Sequence, residues 1–415
     1  MHHLSCRSGW HFMKICAAAR KSGSCSISFS KGWCKYSKCE FFHIRCARLS
    51  NAATPLYGFW QQSMGFASAT LTVVFACYIV GLLLTLTIAG QLSDHYGRKA
   101  LLLPCVGLAI VAAILFDHAN SIGMLMLARF LTGISVGLVV SGGMANVVEH
   151  AQSNRKHFAS LMASVAMVAG AGSGPLLAGI VAHYVHSPVH TVFRIEIAVL
   201  CLALLALLNQ KNQRLGVGAF KPRLPAVSAD KLSIVLLGIA FFGPGLTSTS
   251  FILSLGPKLI ASFLGVNSPL ITGCVAFAMF IVAVGVQLVA KRCSGRGVFL
   301  LSGLSTACAM VCVWVAMATN GVPWLIASAL LAGSGQGLGQ LGGLTLIASN
   351  IPAERRAEAN AVFNMGGYIP AGAIPVVTGH LIDAKGLTVG VTSLALIIGS
   401  LACLALIVLW RQRLK

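Results

Sequence analysis

The chain alternates long apolar runs with short polar segments from residue 67 to residue 410. An α-helix rises 1.5 Å per residue, so about 20 apolar residues cross the hydrocarbon core of a bilayer. Each run therefore predicts one membrane-spanning helix, and the runs are too many for a signal peptide or a single anchor. The eleven predicted spans are 67–89, 100–117, 121–148, 158–184, 191–208, 232–256, 268–290, 298–318, 323–348, 358–382 and 387–410.

Composition agrees with a membrane protein. The chain is 57% hydrophobic and 9% charged, whereas soluble domains carry about 25% charged residues. Its net charge of +21 would by itself suit a nucleic-acid binder. Most of the cations, however, lie in the short segments between apolar runs, as they do in cytoplasmic loops. We therefore expect a lipid bilayer as the solvent of this chain and no nucleic acid as its partner.

The chain also repeats itself at an offset of 200 residues. Gly133 and Gly137 recur as Gly333 and Gly337. The other matches in this frame are Gly65 with Gly265, Thr72 with Thr272, Leu138 with Leu338, Gly142 with Gly342, Gly143 with Gly343, Arg155 with Arg355, Ala159 with Ala359, Gly172 with Gly372, Pro175 with Pro375 and Gly179 with Gly379. So many matches without a gap predict two similar helical bundles in tandem, the architecture of many transporters.

The repeat exposes an irregular beginning. The span 232–256 should have a partner near 32–56, but that window is rich in charge, and one charge at the bilayer centre costs about 3 kcal/mol. We interpret residues 1 to about 48 as foreign to the ancestral transporter, through a shifted reading frame or a misplaced start. The alternative is a genuine basic tail.

Four segments follow from the spans, the repeat and the charges. The predicted division is a basic, cysteine-rich tail at 1–48, an N-terminal helical bundle at 49–208, a basic cytoplasmic linker at 209–231 and a C-terminal helical bundle at 232–415.

Cysteine usage indicates neither a disulfide framework nor a metal site. Six of the fourteen cysteines lie in the first 46 residues, and the others are scattered through or beside the apolar runs. The spacing of Cys34, Cys39, His43 and Cys46 fits no usual zinc pattern. The chain also lacks a Walker-type phosphate loop and an evident pair of nucleophile and base. We expect no cofactor, no metal and no enzymatic activity.

The distribution of cations predicts the orientation. Seventeen lie in one set of loops and at the C-terminus, and three lie in the opposite set. By the positive-inside rule the first set is cytoplasmic. The predicted cytoplasmic loops of this multi-pass protein are 95–99, 149–157, 209–231, 291–297 and 350–358.

A glycine-rich charged motif follows the first predicted span. Its residues are Gly90, Leu92, Ser93, Asp94, Gly97, Arg98 and Lys99. The glycines allow close helix approach, and Asp94 among cations predicts a charge-paired latch for one state of a bistable protein. The motif resembles the signature loop between the second and third spans of the major facilitator superfamily. The alternative is a turn with solvated charges.

Arg129 lies inside an apolar run, where a charge is expensive and marks a function by default. Its span resembles the fourth helix of the same superfamily, in which an arginine followed by spaced glycines is linked to proton coupling. Here the glycines are Gly133 and Gly137. The alternative is that Arg129 lies near the outer interface and snorkels.

Small residues recur in the next span at Gly170, Gly174, Pro175 and Gly179. Such spacing lets helices approach closely, and the proline bends its helix. The pattern resembles the fifth-helix motif of the superfamily's proton antiporters, which include drug exporters, although Ala178 stands where the fuller pattern has glycine. Ordinary helix packing is the alternative.

Two polar pairs predict a substrate cavity. Gln336 and Gln340 are four residues apart, as are Asn364 and Tyr368, so each pair shares a helix face. A polar face in an apolar bundle suggests a water-filled cavity, and hydrogen bonding between helices is the alternative.

Proton coupling needs a protected titratable group. The candidates are Glu149, at the cytoplasmic end of its span, and Glu196 and Asp117, near outer ends, with none clearly at the midplane. We assign Glu149 to coupling together with Arg129.

The resemblance covers about residues 50–410. It implies an all-α polytopic protein of two helical bundles, with about eleven spans and the first of twelve missing or replaced. The implied activity is proton-coupled efflux of a small molecule by antiport, in a monomer of the bacterial inner membrane. The alternatives are a metabolite symporter or facilitator and a truncated, transport-inactive membrane protein.

Overall fold

The structure is a computed structural model of the chain. It describes the backbone of residues 47–96, 98–149, 156–209, 225–290, 293–352 and 355–411, and the side chains of residues 47–88, 101–140, 168–209, 225–290, 293–352 and 355–411. All regular structure in these ranges is helical.

A long helix occupies each of the eleven predicted spans. They are α2 (Ser68–Tyr96), α3 (Arg98–Asp117), α4 (Ile122–Glu149), α5 (Lys156–Tyr184), α6 (Pro188–Leu208), α7 (Ala229–Leu264), α8 (Pro269–Ala290), α9 (Gly295–Thr319), α10 (Val322–Asn350), α11 (Arg356–Lys385) and α12 (Leu387–Arg411). Within the described residues, eight of them are long and apolar enough to cross a membrane: α2, α4, α6, α7, α8, α9, α11 and α12.

The predicted cytoplasmic loop at 95–99 is largely replaced by helix. α2 continues to Tyr96 and α3 begins at Arg98. The helical hydrogen bonds run past the end of the apolar run because polar residues also form helix once the chain has left the hydrocarbon.

A further helical segment, which we call α1, precedes α2 at residues 47–64. Residues 47–52 are α-helical, Thr54–Leu56 form a 3-10 turn, and Tyr57–Met64 form a second α-helical piece. The predicted boundary between tail and bundle at residue 48 falls inside α1, where Arg48 packs against α5 and α6. Residues 1–46 of the predicted tail lie outside the described residues.

The 200-residue repeat is visible in how helices end. α1 ends at Gly65 with φ of 67°, and α7 ends at Gly265 with φ of 69°. Only glycine adopts this left-handed conformation without a steric cost, so it commonly terminates helices.

The repeat is equally visible in how helices cross. A Cβ on Gly133 in α4 would overlap the carbonyl oxygen of Tyr78 in α2, and a Cβ on Gly333 in α10 would overlap that of Met279 in α8. α4 therefore crosses α2 as α10 crosses α8. The predicted pair of similar bundles is confirmed.

The two bundles meet along α2 with α11 and along α5 with α8. At the end that the charges predict to be extracellular, Asp383 of α11 accepts hydrogen bonds from the backbone N–H groups of Ser68 (3.0 Å) and Ala69 (2.7 Å). Lys258 of α7 donates to the hydroxyl of Ser68. A carboxylate from one bundle therefore caps the first turn of a helix in the other.

Candidate functional site

Arg129 is enclosed in the N-terminal bundle. It is the eighth residue of α4, about 10 Å along the helix axis from its start, and its side chain is 0% exposed. A snorkelling arginine would instead expose its charged end. The structure thus places a complete guanidinium inside the apolar core.

The surroundings of Arg129 satisfy it only in part. One terminal nitrogen donates to the backbone carbonyl of Ser50 at 2.5 Å. The guanidinium carbon lies 5.1, 5.7 and 5.8 Å from the ring centroids of Tyr57, Phe116 and Phe75, and such cation–π contacts contribute about 2 kcal/mol when desolvated. Among the described residues, Nε and the other terminal nitrogen have no acceptor in hydrogen-bonding geometry. Arg129 therefore retains spare donors.

Glu196 is a second buried charge, which the sequence pattern placed wrongly. Its predicted span began at residue 191, which put it near the outer end, but α6 begins at Pro188 and Glu196 is the ninth residue of that helix. Its side chain is 0% exposed. Pro188 at the start of a helix is a sequence signal that could have corrected the depth.

The partner of Glu196 is Arg48 in α1. The Arg48 Nε donates to Glu196 Oε1 at 2.8 Å, and the Arg48 side chain is 19% exposed. Among the described residues, Glu196 Oε2 and one terminal nitrogen of Arg48 have no partner. The pair thus joins α1 to α6 through a single hydrogen bond.

Asp117 belongs to a separate cluster at the outer ends of α3 and α6. Its carboxylate lies 2.7 Å from His190, 3.7 Å from Arg194 and 3.8 Å from His118. These partners are more than half exposed. Exposed ion pairs contribute little to stability, so this cluster mainly fixes the local arrangement of the two helix ends.

The residues of the predicted antiporter-like motif face two neighbouring helices. A Cβ on Gly174 would overlap the carbonyl oxygen of Arg48, and the carbonyl of Pro175 abuts Gly273 of α8. A Cβ on Gly179 would lie 2.7 Å from the carbonyl oxygen of Pro269. Gly170 is buried, and its carbonyl accepts the Ser173 hydroxyl at 2.9 Å. The motif therefore links α1 to the contact between the bundles.

The polar pairs predicted to form the substrate cavity are only partly buried. Gln336 and Gln340 lie on α10, and the Gln336 Oε1 has no partner among the described residues. On α11 the Asn364 amide donates to the Asn360 carbonyl at 2.8 Å. The Tyr368 ring lies edge-on to Phe242 with centroids 6.5 Å apart, and it also packs against α2. The described contacts do not join the α10 pair to the α11 pair.

Two of the cavities in the described part of the chain are large enough to admit a small molecule. One of about 410 Å³ lies at the outer ends of α1, α5, α7 and α8, with Gln62, His183, Lys258 and Asn267 in its lining. The other, of about 510 Å³, is apolar and lies between α7, α11 and α12. None of the four predicted cavity residues lines either one, so their role stays a prediction.

The predicted latch and Glu149 are described only in part. Gly90, Leu92 and Asp94 lie in the last turns of α2, Arg98 and Lys99 begin α3, and Glu149 ends α4. Gly97 and the side chains of this set lie outside the described residues. Their roles also stay predictions.

Comparison with known proteins decides the family. The sequence model of the Major Facilitator Superfamily matches residues 46–375. The chain belongs to the major facilitator superfamily. It is 25% identical over 164 residues to the multidrug resistance protein MdtL of Escherichia coli (strain 536), a match covering 38% of this chain and 40% of MdtL. It is also 25% identical over 130 residues to the quinolone resistance protein NorA of Staphylococcus aureus (strain MRSA252), covering 30% of this chain and 33% of NorA.

These matches span less than half the length of either relative. Solved structures of the superfamily match over nearly the whole chain. A D-xylose-proton symporter superposes with a TM-score of 0.70 at 14% identity, covering 93% of this chain and 98% of the symporter. A bacterial homologue of the human lysosomal transporter Spinster, inward-facing and occupied, gives 0.70 at 11% identity, covering 90% and 95%. These likenesses confirm the predicted fold, and the family match makes the chain a multi-pass membrane protein of the major facilitator superfamily.

Proposed function

We propose that this transporter exports small molecules in exchange for protons by alternating access. The observation that carries the proposal is Arg129, which is fully buried and keeps two guanidinium nitrogens without acceptors among the described residues. A charge in such a place is costly to retain without a function. Its spare donors can bind an anionic group that arrives or leaves during the cycle.

The relatives support export over import. MdtL and NorA are named for drug resistance, and the Gly174–Pro175 motif of α5 resembles that of the superfamily's antiporters. The symporter among the structural neighbours shares only the fold, which does not set the direction of transport. Symport or facilitated diffusion of a metabolite is therefore the second candidate, and an inactive protein the third.

The proposed cycle uses the contacts between the bundles. The cap of Asp383 on the start of α2 closes the end that we assign to the outside. The Asp94 segment at the other end of α2 would form the corresponding latch when the bundles rock to face outward. The proposal places the protein in a bacterial plasma membrane. It also takes the protein to be a monomer, because one chain supplies both bundles.

Transport by the purified protein in liposomes tests this function. Dyes, quinolones and metabolites are offered outside vesicles whose lumen is acidic, and then outside vesicles whose lumen is alkaline. Antiport predicts accumulation with the acidic lumen, because outflow of protons drives inflow of substrate. Symport predicts accumulation with the alkaline lumen. If no compound moves under either gradient, the transport proposal is wrong.

Arg129→Ala tests the coupling role. We expect the ratio of the flux under the pH gradient to the flux at equal pH to fall about tenfold. A change of this size lies within the usual range of coupling between two ligands. The matched control is Arg194→Ala, which removes an arginine that is 71% exposed in its side chain. Unchanged flux and pH dependence in Arg129→Ala would contradict the role of Arg129 in coupling.

A further inference from the structure

Glu196 differs in burial from the other acids in the described part of the chain. It is the only carboxylate among the described residues with no exposed surface. It lies about 12 Å along α6 from Pro188, which is well inside a hydrocarbon core of about 30 Å. An ionisable residue at this depth is a functional candidate by default.

The ion pair of Glu196 is incomplete. Arginine and carboxylate frequently form two parallel hydrogen bonds, but here Arg48 and Glu196 share a single bond, from Nε to Oε1. Glu196 Oε2 is buried and has no partner among the described residues. That oxygen can take up a proton while the bond to Oε1 stays in place.

The position of Arg48 connects this pair to the rest of the site. The Arg48 carbonyl abuts Gly174 of α5. Pro175 follows Gly174, and its carbonyl abuts Gly273 in the other bundle. Two residues beyond Arg48, the Ser50 carbonyl accepts the hydrogen bond of Arg129. The same short stretch of α1 therefore contacts Glu196, Arg129 and the α5–α8 boundary.

Other charged groups near α6 are engaged elsewhere. From α3, Asp117 pairs with His190 and Arg194 at the outer ends of the helices. From α5, His183 is exposed at the outer cavity. From α1, Tyr57 faces Arg129. In the described part of the chain, Arg48 is the charged group that contacts Glu196.

We propose that Glu196 is the site that binds the driving proton and that Arg48 is the counter-ion whose hold on α6 weakens when it does. A hydronium ion on the outer side donates the proton: one of its O–H bonds breaks, an O–H bond forms on Glu196 Oε2, and a water molecule is left behind. The proton departs from Oε2 to water on the cytoplasmic side, which restores the negative charge of Glu196 beside Arg48. This assignment rests on the proposed antiport and replaces Glu149 as the acid of the coupling pair.

The test compares three variants in the liposome assay. Glu196→Gln should lose gradient-driven uptake by about tenfold, yet retain exchange of labelled for unlabelled substrate at equal pH, because exchange needs no net proton movement. Arg48→Gln combined with Glu196→Gln removes both charges, which avoids leaving a lone buried cation, and should behave in the same way. Asp117→Asn, the matched control, should keep wild-type uptake.

Gradient-driven uptake by Glu196→Gln at the wild-type rate would overturn the assignment. Absence of gradient-driven uptake in the wild-type protein would instead count against the proposed antiport. The two failures are therefore distinguishable.

A second measurement needs no substrate. Infrared difference spectra of the purified full-length protein between two pH values should contain a carboxylic-acid band in the wild type and in Asp117→Asn that is missing from Glu196→Gln, whereas exposed acids such as Asp230 and Glu358 contribute to all three spectra. Arg48→Gln should shift the titration of this band to higher pH, since loss of a neighbouring cation favours the neutral acid. If the wild-type and Glu196→Gln spectra are identical, Glu196 does not bind a proton and the assignment is wrong.

Discussion

The N-terminal and C-terminal bundles share a backbone plan but differ in the charge of their cores. Arg129 in α4 corresponds to Ala329 in α10, and both side chains are 0% exposed. Arg48 in α1 corresponds to Ser248 in α7. The buried Ser248 hydroxyl donates to the Pro244 carbonyl of its own helix at 2.8 Å.

This difference shows that the shared backbone plan does not depend on the two arginines. The C-terminal bundle folds with a small apolar residue and a self-satisfied hydroxyl at positions where the N-terminal bundle keeps two arginines. Buried ion pairs add little or nothing to stability compared with apolar packing. The helix packing alone therefore does not require the charges of the N-terminal bundle, and the proposed coupling would account for them.

The largest expected effect comes from placing the charge in the wrong half. Ala329→Arg places a guanidinium at a position whose own side chain is a fully buried methyl group. We expect the free energy of unfolding to fall by more than about 4 kcal/mol. Size-exclusion chromatography should then show little monodisperse protein. Ala329→Ser is the control and should fold. A well-folded Ala329→Arg with the wild-type Tm would show that the C-terminal core tolerates charge equally.

A smaller effect is expected where α5 touches α1. Gly174 corresponds to Ile374 in α11, so a large side chain fits in one half and only a hydrogen in the other. Gly174→Ala places a methyl group against the Arg48 carbonyl, and such overpacking costs about 1–3 kcal/mol. A lowered Tm in thermal unfolding checks this.

The control for Gly174→Ala is Gly107→Ala in α3. A Cβ at Gly107 meets nothing within 4 Å, so this change should leave stability unchanged or raise it by up to about 1 kcal/mol, because alanine favours helix. Equal stability of the two variants would contradict the close contact between α5 and α1.

The smallest effect concerns the outer contact between the bundles. Asp383 caps α2, whereas its counterpart in the other half is His183, beside the start of α8. Asp383→Asn should weaken the cap by about 1 kcal/mol. Hydrogen–deuterium exchange of the Ser68 and Ala69 amides should then be faster by about fivefold.

The control for Asp383→Asn is Asp230→Asn, at the start of α7, where the side chain is 68% exposed. This variant should leave hydrogen–deuterium exchange at Ser68 and Ala69 unaltered. Unaltered exchange in Asp383→Asn as well would mean that this carboxylate does not hold the two bundles together in solution.

The chain's own pattern was sufficient for the eleven long helices α2 to α12 and for the tandem bundles, but it did not predict α1. The apolar runs predicted each long helix, because a span needs about 20 apolar residues to cross the lipid. The glycine matches predicted two similar bundles. The structure places Gly133 and Gly333 at the crossings of α2 with α4 and of α8 with α10, where only glycine permits such close backbones. Arg129 was evident because a charge inside an apolar run is rare.

The depth and the partner of Glu196 could not be read in the same way. Its depth depended on where α6 begins, and boundaries are the least certain part of a sequence-based assignment. The convergence of Gly174, Glu196 and Arg129 on one stretch of α1 was also absent from the pattern. Arg48 stood in a charged window that predicted no span.

The sequence by itself thus determined the long helices, the repeat and the place of Arg129 along α4. Only the tertiary structure decided that Arg48 meets Glu196, a residue 148 positions away, and that Arg129 bonds to the Ser50 carbonyl. The physical reason is that periodicity and composition report what lies along one helix. Which charges meet across helices depends on how the helices pack, and that packing is set by the backbone contacts of the whole bundle.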